Sequence, residues 1–512
     1  MRKQISRFLG RVADRLEQRG RGRRLRSSRM FAAAVQDRLT SSWIGSNATA
    51  DVNIRAGLNV MRARSRELVA NNDYARRFIS LLKTNVIGPD GIKLQSQALL
   101  EDGKSLDDDA NNKIEKAWKD WGRVGVCSVD GRMSWIDCQK MFVSSLATDG
   151  EVLIRKYKNP RVNEFGFAIQ FIEADHLDVN LNQDLKNGNR IRLGIETDSF
   201  GRPVAYWLRM SHPGESMGST RLSNYQRVPA EEIIHAFILD RPTQYRGVPW
   251  MVSAMRRLNH LGSYEEAELI AARIGASKMG FFESGDGDGY EGDDTDDDGS
   301  VIMEAEPGTF EQLPEGVKFS SWEPDHPTTA FPNFVKACLR GVASGLNVSY
   351  VGLANDLEGV SYSSIRQGEL ADRDAWKVLQ VWAIEHLLGQ IFPEWFNSAE
   401  LNGMIKLGSM SQEKRERYLR PSWRPRGFAW VDPLKEVRAN FVAVQNGFKS
   451  IQDIVGEQGG DIEDVFKQKK REKDLADLYE LELPVITGGV TDDGEGPPPE
   501  QNTPEGDNEN ES

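Results

Sequence analysis

The stretch GLANDLEGVSYSSIRQGEL, residues 352–370, interrupts a region of the sequence that otherwise has helical periodicity. Apolar residues recur at helical spacing before it, in TTAFPNFVKACLRGVASGLNVSYV, and after it, in a long amphipathic segment. A solvated loop between two helices seldom carries as many apolar side chains as Leu353, Leu357 and Val360. We therefore expect this loop to make contacts of its own, and the rest of the sequence has to indicate with what.

Length and composition indicate a globular chain with several domains. Its 512 residues are more than one simple core needs, so roughly two to four domains are expected. Hydrophobic residues make up 39% of the chain and include 12 Trp, which is enough for sizeable cores.

Charge is concentrated in three segments. Residues 1–40 hold 12 Lys or Arg and 3 Asp or Glu, residues 283–298 hold nine acids, and residues 491–512 hold eight acids. These three segments together carry -8 of the net charge of -12, so the remaining chain, at -4, is close to neutral. Two interpretations of the Arg-rich start stay open: contact with nucleic acid or anionic membrane, or a solvated and partly helical tail.

Cysteine usage and hydropathy exclude several classes of protein. Cys127, Cys138 and Cys338 have neither a CxxC motif nor paired spacing, which argues against a disulfide framework and a zinc site. There is no run of eighteen apolar residues, and the start lacks the apolar segment of a secretory signal. We expect a soluble protein of a reducing compartment, without a membrane partner.

Short motifs that resemble phosphate-binding and cation-binding sites either lack a required residue or lie among acids. EDGKSL at 101–106 has Ala98 where a phosphate loop needs Gly, and acids flank its Lys. GDGYEG at 287–292 has dinucleotide-binding spacing but lies among nine carboxylates. A calcium loop that starts at Asp294 would end on Ala305, so weak cation binding or a solvated acidic loop both stay open.

Catalytic constellations are also missing from the sequence pattern. GVSYS at 359–363 has Ser363 where a nucleophile elbow needs Gly. The six His are scattered and form no metal-binding spacing. We expect no enzyme activity, no cofactor and no metal.

The first half of the chain is predicted to be an α+β domain. Residues 60–86, 110–121 and 134–147 have helical periodicity. The predicted strands that follow are GEVLIRKYK, FAIQFIEADHLDV, RIRLGIETDSFGRPVAYWLRM and EEIIHAFIL, with a hairpin turn at DSFGRP. Because helices and strands do not alternate regularly, residues 45–240 are expected to hold an antiparallel sheet.

The second half is predicted to be mainly helical. The connector DRPTQYRGVPW leads into about 28 residues of helix, a separate short module of strands and turns at 279–328, and a helix over 329–345. The helix after the loop is expected to end at Pro393, and short helices follow 430. The tail after about 486 has the composition of a disordered segment.

Seven strings in a fixed order carry a resemblance to a known family. They are QFIEADHLD, GIETDSFGRPVAYWLR, RVPAEEIIHAF, RPTQYRGVPW, LPEGVKFSSWEPDHPT, GVSYSSIRQGELADRDAW and WVDPLKEVRANFVAVQNG. Together they resemble the lambda family of tailed-phage portal proteins over roughly residues 45 to 480. The acidic stretch 283–300 and the tail after 486 lie outside that pattern.

The resemblance implies an α+β portal fold that assembles as a ring. Its implied parts are a flexible basic arm (1–44), an α+β wing (45–250), two stem helices (251–278 and 329–346), a small α/β clip (279–328), a tunnel loop (347–364), a long helix with a return to the wing (365–429), helical crown (430–482) and a disordered acidic tail (483–512). The arm is expected to be mobile in the ring.

The resemblance also implies a function and partners. A homo-oligomer, typically of twelve subunits, would sit at one capsid vertex of the virion and pass double-stranded DNA without sequence preference during packaging and ejection. It would assemble in the host bacterial cytoplasm and bind the terminase large subunit, head-tail connector proteins, and major capsid and scaffold proteins. Two rivals stay open: another head assembly component, such as an adaptor or scaffold-like ring, and a DNA-processing enzyme.

Candidate site residues follow from the implied parts. The tunnel loop residues expected at the DNA channel are Leu353, Asn355, Asp356, Leu357, Glu358, Gly359 and Val360. The residues expected at the wing-stem junction are Gln244, Arg246, Gly247 and Trp250, and those expected to bind partners on the clip are Phe310, Leu313 and Trp322. Gly352, Asn355 and Gly359 are expected to form backbone turns that a helix forbids.

Two assignments keep an alternative. Lys336 and Arg340, four residues apart, are expected to face the channel, but a solvated helix face or an ion pair with a neighbouring subunit fits equally well. Arg246 is expected to anchor the junction or a subunit contact, against ordinary turn chemistry.

Overall fold

The computed structural model describes residues 45, 47–100, 106–215, 225–276, 280–284, 294–295, 301–302, 317–321, 330–358, 361–408, 412–428 and 433–479. The expectations for the basic arm 1–44 and the tail 483–512 lie outside these residues, as do those for Gly359, Val360, Phe310, Leu313 and Trp322.

The chain divides into two compact units, residues 1–53 and 54–512. In the first unit, the described residues end with the start of helix α1 (Ala50–Asn71), where the Thr49 hydroxyl accepts a hydrogen bond from the Val52 amide. Everything that follows concerns the second unit.

Helices predicted from periodicity in the first half are present. They are α2 (Asp73–Leu82), which continues into a π-helical turn (Lys83–Ile87), α3 (Asp108–Trp121) and α4 (Trp135–Asp149). Helix α2 is separate from α1 because Asn72 is extended and caps it, with its side chain accepting from the Ala75 amide. Ser134 and Asp137 form a capping box at the start of α4.

Two antiparallel sheets follow, as the alternating pattern predicted. The first has the order β3-β2-β9, from Phe167–Ile172, Glu151–Lys158 and Ile233–Phe237. The second has the order β4-β5-β6-β7-β8, from Gln183–Asp184, Arg190–Arg192, Ile195–Thr197, Pro203–Arg209 and Tyr225–Pro229. The predicted turn at DSFGRP joins β6 to β7. The described residues therefore have the expected α+β character.

The second half contains two long helices on either side of short strands. Helix α5 (Val252–Ala276) precedes the strands, and helix α6 (Phe331–Leu346) follows them. The strands are β10 (Gly280–Ser284), β11 (Asp294–Thr295), β12 (Val301–Ile302) and β13 (Val317–Ser321), paired β10-β13 and β11-β12. Tyr264 of α5 packs on Phe331 and Phe334 of α6, at 5.6 and 5.1 Å between ring centroids.

The end of the chain returns to its beginning. Strand β14 (Ser422–Arg424) pairs antiparallel with β1 (Lys93–Gln95). The remaining helices are α7 (Tyr350–Ala354), α8 (Tyr362–Ala383), α9 (Gly389–Leu401), α10 (Gln412–Tyr418), α11 (Pro433–Gln445), α12 (Ile451–Glu457) and α13 (Ile462–Leu478).

The prediction that Pro393 ends its helix is wrong. A π-helical turn (Ile384–Leu388) joins α8 to α9, and Pro393 lies inside α9. Interior Pro costs a helix about 3 kcal/mol, but burying one large apolar side chain stabilises by about 1.5–3 kcal/mol. Ile391, Phe392, Trp395 and Phe396 are all fully buried, so packing offsets the proline.

The interrupted helix also differs from the sequence prediction. Residues 350–354 form helix α7, so Gly352 is helical rather than a turn residue, while Asn355 does adopt the left-handed conformation with φ 54°. Leu353 is only 2% exposed and packs into the main core, so the expectation that it faces a channel is wrong for this conformation. The reason is tertiary: one turn of helix directs Leu353 inward, and burial outweighs the turn signals around it.

Candidate functional site

The structure brings the two predicted channel elements together. Lys336 on α6 donates a hydrogen bond to the Glu358 carboxylate at 2.7 Å and lies 3.5 Å from the carboxylate of Asp356. The hydrogen bond to Glu358 raises the pKa of Lys336, so the amine stays charged. Helix α6 and the loop after α7 are therefore held together by charge within one chain.

Two contacts of Tyr350 complete this attachment. The Arg340 guanidinium lies over the Tyr350 ring, 5.5 Å from its centroid. The Tyr350 hydroxyl donates to the Asp356 carboxylate at 2.7 Å, and that bond lowers the pKa of Asp356. Both cations on α6 thus contact residues 350–358 of their own chain, and Arg340 stays exposed.

The base of the loop is fixed to two other helices. Ser349 caps α7 by accepting from the Gly352 amide at 3.1 Å, and its own amide donates to Asp372 of α8 at 2.9 Å. Arg77 of α2 donates to the Gly352 carbonyl at 3.1 Å. Leu357 lies beyond these anchors and is 61% exposed, so it is the described apolar residue that projects from the loop.

Arg246, which was predicted at the wing-stem junction, is fully buried and pairs with an acid that the sequence analysis did not select. Its Nε and Nη2 donate to Glu151 of β2 at 2.8 and 2.5 Å, and Arg62 of α1 donates to the same carboxylate at 2.5 Å. Nη1 of Arg246 also donates to the carbonyls of Leu177 and Leu193, at 2.9 and 3.0 Å. Arg246 therefore anchors the connector inside its own subunit, and neither turn chemistry nor a subunit contact describes it.

Electrostatics keep the buried carboxylate charged. Burial by itself would raise the pKa of Glu151, but Arg246 and Arg62 outweigh it and hold that pKa well below its usual range. His235 lies 3.2 Å from the same carboxylate, and burial lowers its pKa in spite of the acid. The group at neutral pH is one carboxylate, two guanidinium groups and a neutral imidazole.

The other three junction residues support this arrangement. The Gln244 side chain donates to the Arg246 carbonyl at 2.7 Å, and the Trp250 amide donates to the Ala147 carbonyl at 3.1 Å. Gly247 donates to Glu151 at 2.9 Å, and a Cβ on Gly247 would lie 2.0 Å from the Gly150 carbonyl oxygen. The four predicted residues Gln244, Arg246, Gly247 and Trp250 thus belong to one close-packed corner.

Sequence reasoning missed Glu151, Arg62, Tyr350 and Asp372. The signal for Glu151 was an acid at the start of the otherwise apolar strand GEVLI, a position that burial makes expensive unless a cation pairs with it. Tyr350, Arg62 and Asp372 lie on helices where polar residues are ordinary, and nothing local marks them.

One group in the described part of the chain has the donor spacing of a metal site. Ligand atoms of Glu173, Asp175 and His212 all lie within 4.8 Å of one another. Asp175 is already paired with Arg66 and lies 3.7 Å from Arg62, so this carboxylate is occupied as an ion-pair partner. Of the helices in the described ranges, none combines the length and apolar character that a membrane span requires.

Comparisons with known proteins match most of the chain. The family described as "Phage portal protein, lambda family" matches residues 36–380. The "Probable portal protein" of Halomonas phage phiHAP-1 is 42% identical over 448 residues, which cover 86% of this chain and 85% of that protein. The "Portal protein" of Escherichia phage N15 is 21% identical over 474 residues, covering 84% and 87%. Among solved structures, the "Neck of empty GTA particle computed with C6 symmetry" covers 82% of this chain and 97% of its own, at 13% identity and a TM-score of 0.39.

Proposed function

The chain belongs to the lambda family of phage portal proteins, and from this premise we propose that its copies form a ring whose axis is the passage for double-stranded DNA. The anchored loop after α6 is the feature of the structure that best supports this proposal. Residues 349–354 are fixed to α2 and α8, while Leu357 is 61% exposed beyond them. A loop with a rigid base and an apolar tip suits an element that contacts moving DNA.

Charge at the loop favours sliding over binding. Lys336 pairs with Glu358 and lies beside Asp356, so its amine is not free to hold phosphate, and these three groups together carry one excess negative charge. Affinity for the DNA backbone scales with the number of Lys and Arg contacts to phosphate. A loop that presents Leu357 between paired charges would touch DNA without holding it.

The proposal extends to location and partners. We infer a ring of twelve subunits at one vertex of the capsid, assembled in the host cytoplasm before the virion is complete. Its partners are the terminase large subunit during packaging, head-tail connector proteins afterwards, and capsid and scaffold proteins during assembly. Residues 279–328, including Phe310, Leu313 and Trp322, are the proposed docking segment for the terminase and connectors. The role is structural rather than catalytic.

Electron microscopy and native mass spectrometry of the purified full chain test the ring. We expect a particle with a central hole wide enough for duplex DNA and a mass about twelve times that of the 57.5 kDa subunit. Co-expression with the other head proteins covers the case in which assembly needs a partner. A compact dimer or tetramer without a hole under both conditions would contradict the proposal.

The conduit role has a separate test. Deleting residues 356–360 should leave rings intact but reduce DNA packaging in a reconstituted or infection-based assay, because the element that contacts DNA is gone. Phe200→Ala is a matched control, since Phe200 is 82% exposed but lies on the turn between β6 and β7. Full packaging by the loop deletion would indicate an adaptor or scaffold role instead.

A further inference from the structure

Helix α11 carries its apolar residues on the side that faces away from its own subunit. Leu434, Val437, Phe441 and Val442 are 64%, 42%, 38% and 54% exposed, and no side chain of this helix is buried. Their spacing of three, four and one residues places them on one stripe of the helix surface. These four residues form the outer stripe of α11.

The opposite side of α11 carries Glu436, Asn440 and Ala443, which are half-buried, and this side faces the subunit. Glu436 lies 3.8 Å from Arg366 of helix α8, and the Asn440 side chain accepts from Lys449 at 3.4 Å. A surface helix normally buries its apolar side, and a helix of this length has little stability without such burial. The orientation of α11 therefore leaves the outer stripe available for a contact that the described residues of its own chain do not make.

We propose that the outer stripe of one subunit packs against the exposed side of helix α8 in a second copy of this chain. The inference rests on the proposed ring and adds the pair of surfaces that closes it. Such a contact joins two different surfaces, which is the type that generates a closed ring when the rotation between copies divides a full turn.

The exposed side of α8 complements the outer stripe in both polarity and charge. Leu370, Val378 and Val381 are 41%, 69% and 55% exposed on α8. The exposed acid Asp374 lies on the same side as these residues, together with the exposed base Lys377, and a second exposed acid, Glu385, follows in the π-helical turn after α8. The outer stripe is bordered by the exposed base Arg438. Apolar residues thus meet apolar residues, and Arg438 meets a surface with an excess of acid.

Symmetry supports the choice of α8 as the receiving surface. Rotation about a ring axis keeps every element at its own height along that axis. The contact of Glu436 with Arg366 places α11 beside the first turns of α8 within one subunit, so the two helices share a height at that end of α8. The outer stripe of one copy would therefore meet its neighbour at the level of α8.

The first test replaces one residue of the outer stripe. Phe441→Asp in the full chain should lower the fraction of ring in native mass spectra by roughly tenfold or more, because a carboxylate would be buried without a partner. The subunit should keep its helical circular dichroism, since Phe441 is not buried in it. Leu401→Asp, at an 86% exposed position at the end of α9, is the control and should keep the wild-type ring fraction.

The second test identifies the receiving surface by exchange of charge. Arg438→Glu alone should weaken the ring, and adding Asp374→Lys should restore it. If Phe441→Asp and Arg438→Glu both form rings like the wild type, the inference is overturned while the ring itself stands. If these variants form normal rings that are not incorporated into phage heads, the outer stripe binds another head protein, and the inference is also overturned. If the wild type forms no ring under either condition described above, the proposed function fails and this inference fails with it.

Discussion

At the scale of single residues, the Glu151 carboxylate joins parts of the chain that are 89 and 95 positions away, through Arg62 and Arg246. Removing one member of a buried ion pair leaves the other charge without compensation and costs about 3–5 kcal/mol. Glu151→Gln should therefore lower the free energy of unfolding by about that amount in urea titrations followed by circular dichroism. Glu232→Gln removes the partly exposed partner of Arg155 and should cost about 0–1 kcal/mol. Equal costs for the two variants would contradict the assigned role of Glu151.

The same group makes stability depend on pH with a defined sign. Burial lowers the pKa of His235 in the folded chain, so below the ordinary pKa of about 6.5 the unfolded chain takes up a proton that the folded chain does not. The lowered pKa of Glu151 acts in the same direction at more acid pH. Stability should therefore fall as pH decreases below about 6.5, and thermal unfolding from pH 7.5 to 5.5 measures this. The fall between these pH values should be smaller in His235→Asn, and an unchanged slope would contradict the assignment.

Substitution by Ala is expected to have opposite effects on stability at Gly247 and at Gly368. A side chain on Gly247 would collide with the Gly150 carbonyl, a backbone atom that cannot rotate away. Gly247→Ala should thus destabilise by about 1–3 kcal/mol or more. Gly368 lies inside α8 with open space around its Cα, so Gly368→Ala should stabilise by about 0.5–1 kcal/mol. Thermal unfolding of both variants gives the comparison.

At the scale of elements, periodicity predicted most of the helices and strands because each depends on residues close together in the sequence. The strand GEVLIRKYK and the helix over 110–121 are examples, and the structure confirms both. Predictions failed where packing across the chain decides the outcome. Pro393 stays helical because α9 is buried on several sides, and Leu353 is buried because α7 is inserted between longer elements. No local pattern contains that information.

The attachment of residues 355–358 to helix α6 can be tested by removing the cation between them. Lys336 is the cation that holds both Asp356 and Glu358, so Lys336→Met should release residues 355–358. We expect faster amide hydrogen exchange in that segment and little change in the rest of α6. Raising the salt concentration should have the same effect on the wild type, since exposed ion pairs are screened. Lys119→Met, on an exposed position of α3, is the control; exchange that is equally fast in both variants would contradict the attachment.

At the scale of the whole molecule, the sequence predicted the site only in part. Arg246 was selected from its connector, and its role as an anchor is now described, but its partner Glu151 lies 95 positions away and no motif joins them. Lys336 and Arg340 were selected as channel residues, and their contacts with Asp356 and Tyr350 could not be read from helical spacing. Ordered motifs identified the family, whereas side-chain partners required the folded chain.

The distribution of charge leads to a prediction about DNA affinity. Residues 1–40 hold 12 Lys or Arg in a chain with a net charge of -12, so removing residues 1–44 leaves a considerably more negative chain. The salt dependence of DNA binding grows with the number of phosphates that cations neutralise. If the arm contacts DNA, deleting it should weaken binding of a short duplex at 50 mM salt and flatten the dependence of affinity on salt concentration, as measured by fluorescence anisotropy. Deleting the acidic tail 483–512 is the matched control and should strengthen binding. If the arm is instead a solvated tail, its deletion will leave the slope unchanged, and the weak affinity that a conduit requires would be a property of the folded body alone.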